Sequence, residues 1–311
     1  MKEVVLVPTY DRSEFLYCCI EAIRQMEPTI PIHVFPDRGT DESAVTCQFD
    51  ATEHKTLQHS YHGNSFNMLE ALKWAYQQMD RWDRVYVIED DAIIDSSFFN
   101  WCRDALQSYP ESFAACAWQY SPDALISNGP DLRIPWYLSV SSVLPRASVF
   151  SIVQHARIDY YSDMKGYLDR TYPNSHRRGS MHYEQDGLIL RVMESESKRA
   201  VWPRLPRATH CGWRGYHMSK ERAAGSLEER IALVKLALKN PQLLTRLMGG
   251  AKIPEFRHCE SCNKPLAAED KESRIICVDC FSAQYPDRPV TSTDCYYLKA
   301  RTSERSAVPV D

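Results

Sequence analysis

The chain lacks most of the features that assign a protein quickly. No stretch of its 311 residues approaches the roughly 18 uninterrupted apolar positions of a membrane-spanning helix. Its opening, MKEVVLVPTYDR, has no apolar leader with a cleavage site. A soluble, cytoplasmic protein with no membrane partner is therefore expected. Neither sign of charge dominates, with 37 Lys and Arg against 41 Asp and Glu, so no global basic field announces nucleic acid. No internal repeat is present, which removes solenoids and propellers. The first apolar run leads into Pro8-Thr9-Tyr10-Asp11 rather than into glycines. The Gly-rich loop that cradles a triphosphate is thus missing, which ranks a nucleotidyltransferase low.

A disulfide framework is not expected either, although there are eleven cysteines. Cys18, Cys19, Cys47, Cys102, Cys116 and Cys211 are scattered through apolar contexts, where free cysteine acts as a small hydrophobe. Cys259-Glu-Ser-Cys262 and Cys277-Val-Asp-Cys280 form two CxxC pairs separated by 14 residues. That is the ligand pattern of a four-cysteine zinc ribbon. Reduced thiols with structural Zn²⁺ suit a cytosolic setting. Such a closed site folds a piece of chain too small for its own core and performs no catalysis.

What is present reads as α/β. Residues 4–7, 32–35, 85–88 and 114–118 are short apolar strand candidates. Helices are expected over 13–26 with Ser13 as N-cap, 66–79, 98–109, 148–155 and 187–193. In the second of these, Phe66, Leu69, Leu72, Tyr76 and Met79 form a core face. Strands alternating with helices over the first ~120 residues indicate a mostly parallel sheet. Residues 121–136 read as a loop over or beside a site, and Arg177-Arg178-Gly179-Ser180 as a mobile basic loop. Ser226 caps an amphipathic helix, and Pro241 starts a shorter one ending at Gly249-Gly250. The expected organisation is a catalytic domain over 1–220, a helical segment over 221–250, a zinc ribbon over 251–290 and a flexible tail over 291–311.

The chemistry concentrates in VYVIEDDAIIDSSFF, residues 85–99. A strand buried on both faces ends in Glu89, Asp90 and Asp91, at the carboxyl edge where open α/β sheets bind ligands. Three packed acids raise one another's pKa unless a cation joins them, and hard oxygen ligands suit Mg²⁺ or Mn²⁺. Thr9, Asp11 and Arg12 follow the first strand, where an arginine reaches phosphate or base edges and Asp11 fixes it; a surface Asp–Arg pair is the alternative. Asp37 ends the second strand, in reach of a base N–H or ribose hydroxyl.

In this order, Asp11-Arg12-Ser13, then Asp37 with a Gly-containing turn, then Glu89-Asp90-Asp91 through Phe98-Phe99, the chain resembles GT-A fold nucleotide-sugar glycosyltransferases. It is most similar to the N-acetylglucosaminyltransferase I family. Cys116-Ala117-Trp118 and the stretch from Trp202 through Arg207 and Thr209 to Gly212 add weaker matches. The resemblance covers roughly residues 3–218. It implies a GT-A, Rossmann-like fold and an inverting transfer from a UDP-sugar. By it, Asp91 holds Mn²⁺ bridging the donor diphosphate, Asp90 contacts ribose or sugar, and Glu89 contacts sugar hydroxyls. Its catalytic base falls on Asp186 first or Glu184 second, since Gln185 separates acids that are adjacent in the family. His210 and His217 are candidate further metal or diphosphate contacts. Arg207, Trp213 and Arg214 are candidate donor clamps on a closing loop. Trp136 and Tyr137 are candidates for a sugar-stacking wall. The zinc ribbon is foreign to that family. A hydroxymethylated base in DNA is the leading acceptor expectation, with a protein, glycan or small molecule as alternatives. An inactive zinc-ribbon binding module is a further alternative.

Overall fold

A computed structural model describes residues 2–39, 41–55, 59–61, 63–78, 80–94, 96–118, 131–179, 182–203 and 207–210, with short strands at 257–258, 265–266, 275–276 and 298–299. The chain divides into two compact units, residues 1–119 with 129–210, and residues 120–128 with 211–311.

The first unit is built on an eight-stranded sheet ordered β3-β2-β1-β4-β8-β6-β9-β7. Its strands are β1 (Glu3–Thr9), β2 (Ile32–Pro36), β3 (Thr52–Glu53), β4 (Arg84–Ile88), β6 (Ala114–Cys116), β7 (Leu132–Ile134), β8 (Ser141–Pro145) and β9 (Ala200–Trp202). A separate antiparallel pair joins β5 (Ala92–Ile94) to β10 (Ala208–His210). Around them lie α1 (Ser13–Met26), α2 (Ser43–Gln48), α3 (Gly63–Gln77), α4 (Phe98–Ser108), α5 (Arg146–Val153), α6 (Ile158–Ser162), α7 (Met164–Thr171) and α8 (Gln185–Ser195).

Strands β1 and β4 are apolar over 4–8 and 85–88 because both faces are covered there. Their side chains alternate between two cores, as the period of two requires. Val4, Leu6, Val85 and Val87 enter the core shared with α3, α5 and α8. Val5, Val7, Tyr86 and Ile88 enter the core shared with α1 and α4. The strands β3, β2, β1 and β4 run parallel, so Thr9, Asp37 and Glu89 come to one edge.

The sheet is mostly parallel, as expected, with β6 and β9 also paired in parallel, but two strands beyond β4 run against their neighbours. Strand β8 enters antiparallel between β4 and β6, and β7 pairs antiparallel with β9. Because β8 runs backwards, its beginning lies beside the end of β4, with Ser141 opposite Ile88. Strand β7 also lies inside the stretch expected as a loop over 121–136; residues 121–130 of that stretch are outside the described ones.

Several local expectations are corrected. Ser13 opens α1 without capping it; the preceding position is Arg12, and no side-chain cap bond forms there. Glu42, 2% exposed, takes bonds from Ser13 and from the Arg12 N–H instead, serving as the helix's N-terminal anion. On α3, Leu69 and Leu72 are buried, but Tyr76 is exposed and meets Phe150. Cys47 is exposed, whereas Cys18, Cys19, Cys102 and Cys116 are buried as small hydrophobes. Arg177 is packed rather than loose: its guanidinium stacks 4.3 Å over the Trp136 ring and donates to the Pro135 carbonyl. Arg191 binds the same turn through the Arg177 carbonyl.

In the second unit, β11 (Arg257–His258) pairs antiparallel with β12 (Pro265–Leu266), and β13 (Ile275–Ile276) with β14 (Leu298–Lys299). The first pair brackets residues 259–262 in sequence. Cys259, Cys262, Cys277 and Cys280 themselves, Cys211, and the helices expected from 226 and 241 lie outside the described residues. Among the described residues no helix is long and apolar enough to cross a membrane.

Candidate active site

The sheet edge where β1, β2 and β4 end collects the acids read from the sequence. Asp90 and Asp91 are 1% and 3% exposed. Asp90 accepts from the Thr9 hydroxyl at 2.6 Å and from Arg12 Nε at 3.1 Å, with Arg12 Nη2 closing on its other oxygen. Arg12 Nη1 donates to Asp91 Oδ2 at 2.5 Å. Burial, with Asp91 and Glu89 behind it, raises the Asp90 carboxyl, and the Arg12 guanidinium opposes that. Burial alone would lower the Arg12 pKa, but Asp91, Asp90 and Glu89 together raise it.

This corrects three expectations. Arg12 is turned inward onto the acids, not outward to phosphate or base. Asp11 does not fix it; Asp11 is an exposed turn residue at φ 48°, a conformation aspartate tolerates better than most side chains. Asp90 is engaged by protein donors at both oxygens rather than open to a sugar.

Glu89 points elsewhere. It accepts from the Ser139 hydroxyl at 2.7 Å, and the same serine lies near enough to Asp186 to lower its pKa. The Glu89 N–H donates to the Val140 carbonyl at 3.0 Å. The reversed course of β8 is what delivers Ser139 here. Asp186 lies in the first turn of α8, and its Oδ1 is buried without a hydrogen-bond partner. Burial, with Glu89 and Glu184 adding to it and Ser139 opposing, pushes Asp186 up to about 7. A carboxyl titrating there suits proton abstraction near neutrality.

The α8 start is held firmly. Gln185, which separates Glu184 from Asp186, is buried; its N–H donates to Ser65 Oγ at 3.1 Å and its Oε1 accepts from that hydroxyl at 2.9 Å. Arg191 donates to the His182 and Gly187 carbonyls at 2.7 and 3.0 Å. A Cβ on Gly187 would sit 2.2 Å from the His182 carbonyl oxygen. Gly187→Ala must therefore move backbone beside Asp186. A loss of roughly 2 kcal/mol in chemical denaturation is expected, with a fall in activity.

At the β2 end, Asp37 is 4% exposed and bonds His59 Nε2 at 2.7 Å, with Arg38 Nε at 3.7 Å. A Cβ on Gly63 would fall 2.2 Å from Asp37 Oδ2, so glycine there leaves room for the carboxylate. Asn67 of α3 donates to the carbonyls of Thr9 at 3.4 Å and Phe35 at 2.6 Å, tying the ends of β1 and β2 together. His59 was not singled out from the sequence, since the polar run around it has no periodicity. Ser139 was missed because the serines in VSSVLP hide the strand.

Other candidates are placed less centrally. Arg207 donates its N–H to the Ala117 carbonyl at 2.8 Å and Nη1 to Ser97 Oγ at 3.2 Å. Tyr137 is fully buried and hydrogen-bonds Ser142, so it is core and no stacking wall. Trp136 is partly buried beneath Arg177. Glu184 precedes α8 at its N-cap position. Trp213, Arg214 and His217 lie outside the described residues.

Among the described residues no group of three or more His, Cys, Asp and Glu is arranged around a metal position. The β10–β5 register nevertheless sets His210 opposite Ala92, the residue after Asp91. The carboxylates of Asp90 and Asp91 are hard oxygen donors of the kind that suit Mg²⁺ or Mn²⁺.

No protein-family model and no curated protein matches the chain. Among solved structures it is similar to the galactosyltransferase LgtC in complex with donor and acceptor sugar analogues, at 11% identity and TM-score 0.45 over 81% of this chain and 98% of that one. It is also similar to the mannosyltransferase PcManGT of Pyrobaculum calidifontis in complex with GDP-Man and Mn²⁺, at 13% identity and TM-score 0.41 over 80% and 73%. A third is a cytidylyltransferase of Leptospira borgpetersenii, at 11% identity and TM-score 0.35 over 55% and 71%. With every TM-score below 0.5, these likenesses assign neither a family nor a chemistry.

Proposed function

We propose that the chain is a divalent-cation-dependent, inverting glycosyltransferase of the GT-A type, moving a hexosyl or N-acetylhexosaminyl group from a UDP-sugar to an acceptor hydroxyl. One observation carries this reading: a buried acid pair at the end of β4 shares its sheet edge, through Glu89 and Ser139, with a carboxylate held near neutrality, Asp186. A metal-assisted displacement with a protein base needs two such groups.

Asp91 and His210 would hold Mn²⁺ or Mg²⁺, which when bound stabilises negative charge on the departing diphosphate. Asp37, oriented by His59, would accept from the base or ribose of the donor. Glu89 would face the sugar, and Asp186 would take the proton of the attacking hydroxyl. The likeness of Asp11-Arg12-Ser13 and Glu89-Asp90-Asp91 to the N-acetylglucosaminyltransferase I motifs supports the same roles. The catalytic domain would span 1–220, and the CxxC pairs would close a structural zinc ribbon over 251–290. A hydroxymethylated base in DNA is retained as the first acceptor to try, with protein, glycan and small-molecule hydroxyls beside it.

The test is release of UDP from a panel of UDP-sugars with and without Mn²⁺. Cation-dependent hydrolysis or transfer is expected. Absence of both turnover and Mn²⁺-dependent nucleotide binding across the panel would remove the transferase reading.

A further inference from the structure

Beyond the first turn of α8 the charge changes sign. The turn over 175–179 carries Arg177 and Arg178, and Arg191 of α8 donates Nη2 to the Arg177 carbonyl at 2.7 Å. Arg191 is 1% exposed, its Nη1 is shared between the His182 and Gly187 carbonyls, and its Nε is buried without a partner. Among the described residues no carboxylate forms an ion pair with Arg177, Arg178 or Arg191, whereas Lys165 and Arg170 of α7 are both paired. The acids that reach the turn hold its backbone instead. Glu194 accepts from the His176 N–H at 2.9 Å and Asp169 from the Gly179 N–H at 3.1 Å.

Arg177 is held ready for a ligand. Its guanidinium lies 4.3 Å over the Trp136 ring, and the guanidinium's one hydrogen bond among the described residues runs from Nη2 to the Pro135 carbonyl at 3.2 Å. Stacking fixes the plane and leaves the other N–H groups along its edge, the geometry that takes two oxygens of a carboxylate or phosphate. Trp136 is itself pinned, with Trp202 Nε1 donating to its carbonyl at 3.2 Å. Two routes lead from this stack to the candidate base. Trp136 meets His182 edge-on at 6.0 Å, and the His182 carbonyl abuts Gly187, the residue after Asp186. Trp136 also precedes Ser139, the partner of Glu89, by no more than about 11 Å of chain.

We propose that the Trp136–Arg177 stack, rimmed by Arg178, is an acceptor subsite for a single oxyanion, a phosphate or carboxylate carried within about 11 Å of the hydroxyl that reacts at Asp186. The proposal deepens the transferase reading and rests on it for Asp186 as the point of reaction.

A stacked guanidinium has lost rotamer freedom before its ligand arrives, so less is left to lose on binding. Arg191 adds a positive charge removed from water, and charge in a low dielectric acts at longer range. An oxyanion settling on Arg177 compensates both. The site suits one such group and not a polyanion. Its cations are confined to one turn, and Glu89, Asp90, Asp91 and Asp186 occupy the neighbouring sheet edge, where a run of phosphates would be repelled.

The experiment titrates the full chain with glucose 6-phosphate, glucuronate and glucose by isothermal calorimetry, with and without UDP and Mn²⁺. At least one anionic probe is expected to bind about 10-fold more tightly than glucose, and which one does so names the oxyanion. Arg177→Gln is expected to erase that difference. Arg177→Lys, which keeps the charge and loses the planar stack, should retain only part of it. If neither variant folds, Arg178→Gln at the exposed rim should reduce the difference about 3-fold. Equal binding of anionic and neutral probes by the native chain, no binding of any probe, or a preference unchanged in the folded variants overturns the proposal. So does steeply salt-dependent binding of a short DNA strand with no preference among the sugars. UDP release from the UDP-sugar panel is read separately. An Arg177-dependent preference without any release shows an oxyanion site and overturns its assignment as an acceptor subsite, along with the transferase reading.

Discussion

Asp186→Asn is expected to lower kcat by about 10²–10⁴-fold while leaving UDP-sugar binding in place. Asparagine keeps the shape of the side chain in the first turn of α8 and cannot accept the acceptor's proton. The native rate should rise as pH climbs toward 7 and level off above it, because burial and the nearby Glu89 and Glu184 charges push Asp186 up to about 7. The sign for stability is opposite. The folded pKa lies above the unfolded one, so the native state holds an extra proton between about pH 4 and pH 7. Asp186 therefore contributes stability at low pH that is lost as pH rises through that window. At pH 8 the asparagine variant should unfold no lower in temperature than the native chain while being nearly inactive. Stopped-flow or steady-state rates against pH, beside thermal scans at pH 5 and pH 8, check both. A variant that keeps native kcat would shift the base role to Glu184.

Asp91→Asn should abolish Mn²⁺-dependent donor binding and reduce kcat/KM by about 10³-fold or more, since the ion's charge is what stabilises the departing diphosphate. The fold should survive: Arg12 remains forked onto Asp90, and asparagine still offers an oxygen to Nη1. Its neighbour behaves differently. Asp90→Asn removes the charge that two Arg12 nitrogens and the Thr9 hydroxyl address. That leaves the guanidinium to Asp91 and Glu89, with an expected cost of about 1–3 kcal/mol in chemical denaturation. Adjacent residues of one motif are thus expected to fail in different ways, one in metal-dependent binding and one in folding. Isothermal titration with donor and Mn²⁺, set against denaturation curves for both variants, tells them apart.

Much of the site's outline could be read along the chain because it depends on local pattern. Strand β4 is a run of apolar residues that only a doubly covered strand requires, and its acids follow at once. Asp37 and Thr9 similarly mark the ends of β2 and β1. Alternating helices and strands indicated a mostly parallel sheet, and β3-β2-β1-β4 and β6–β9 are paired that way. It did not reveal that β7 and β8 run antiparallel to their neighbours. Antiparallel insertion of β8 is a choice among sheet partners made by packing, and a short serine-bearing strand leaves little periodic trace.

The partners of the acids were beyond local pattern for a related reason. Thr9 and Asp90 are 81 residues apart, and Arg12 and Asp91 are 79. A guanidinium after β1 can face solvent, ligand or a neighbouring strand end, and its sequence is the same in each case. Its inward turn follows from the parallel neighbours β1 and β4, which bring both strand ends together at one buried edge. His59 reaches Asp37 from a polar loop 22 residues away, with no periodicity to announce it.

The sequence by itself therefore determined β1, β2 and β4, the edge they share and the carboxylates they carry there, because burial on both faces restricts composition residue by residue. Tertiary structure decided which carboxylate is locked by Arg12, which is joined through Ser139, and why Asp186 titrates near neutrality. Those properties depend on desolvation and on charges brought close by folding, and neither quantity exists until distant segments meet.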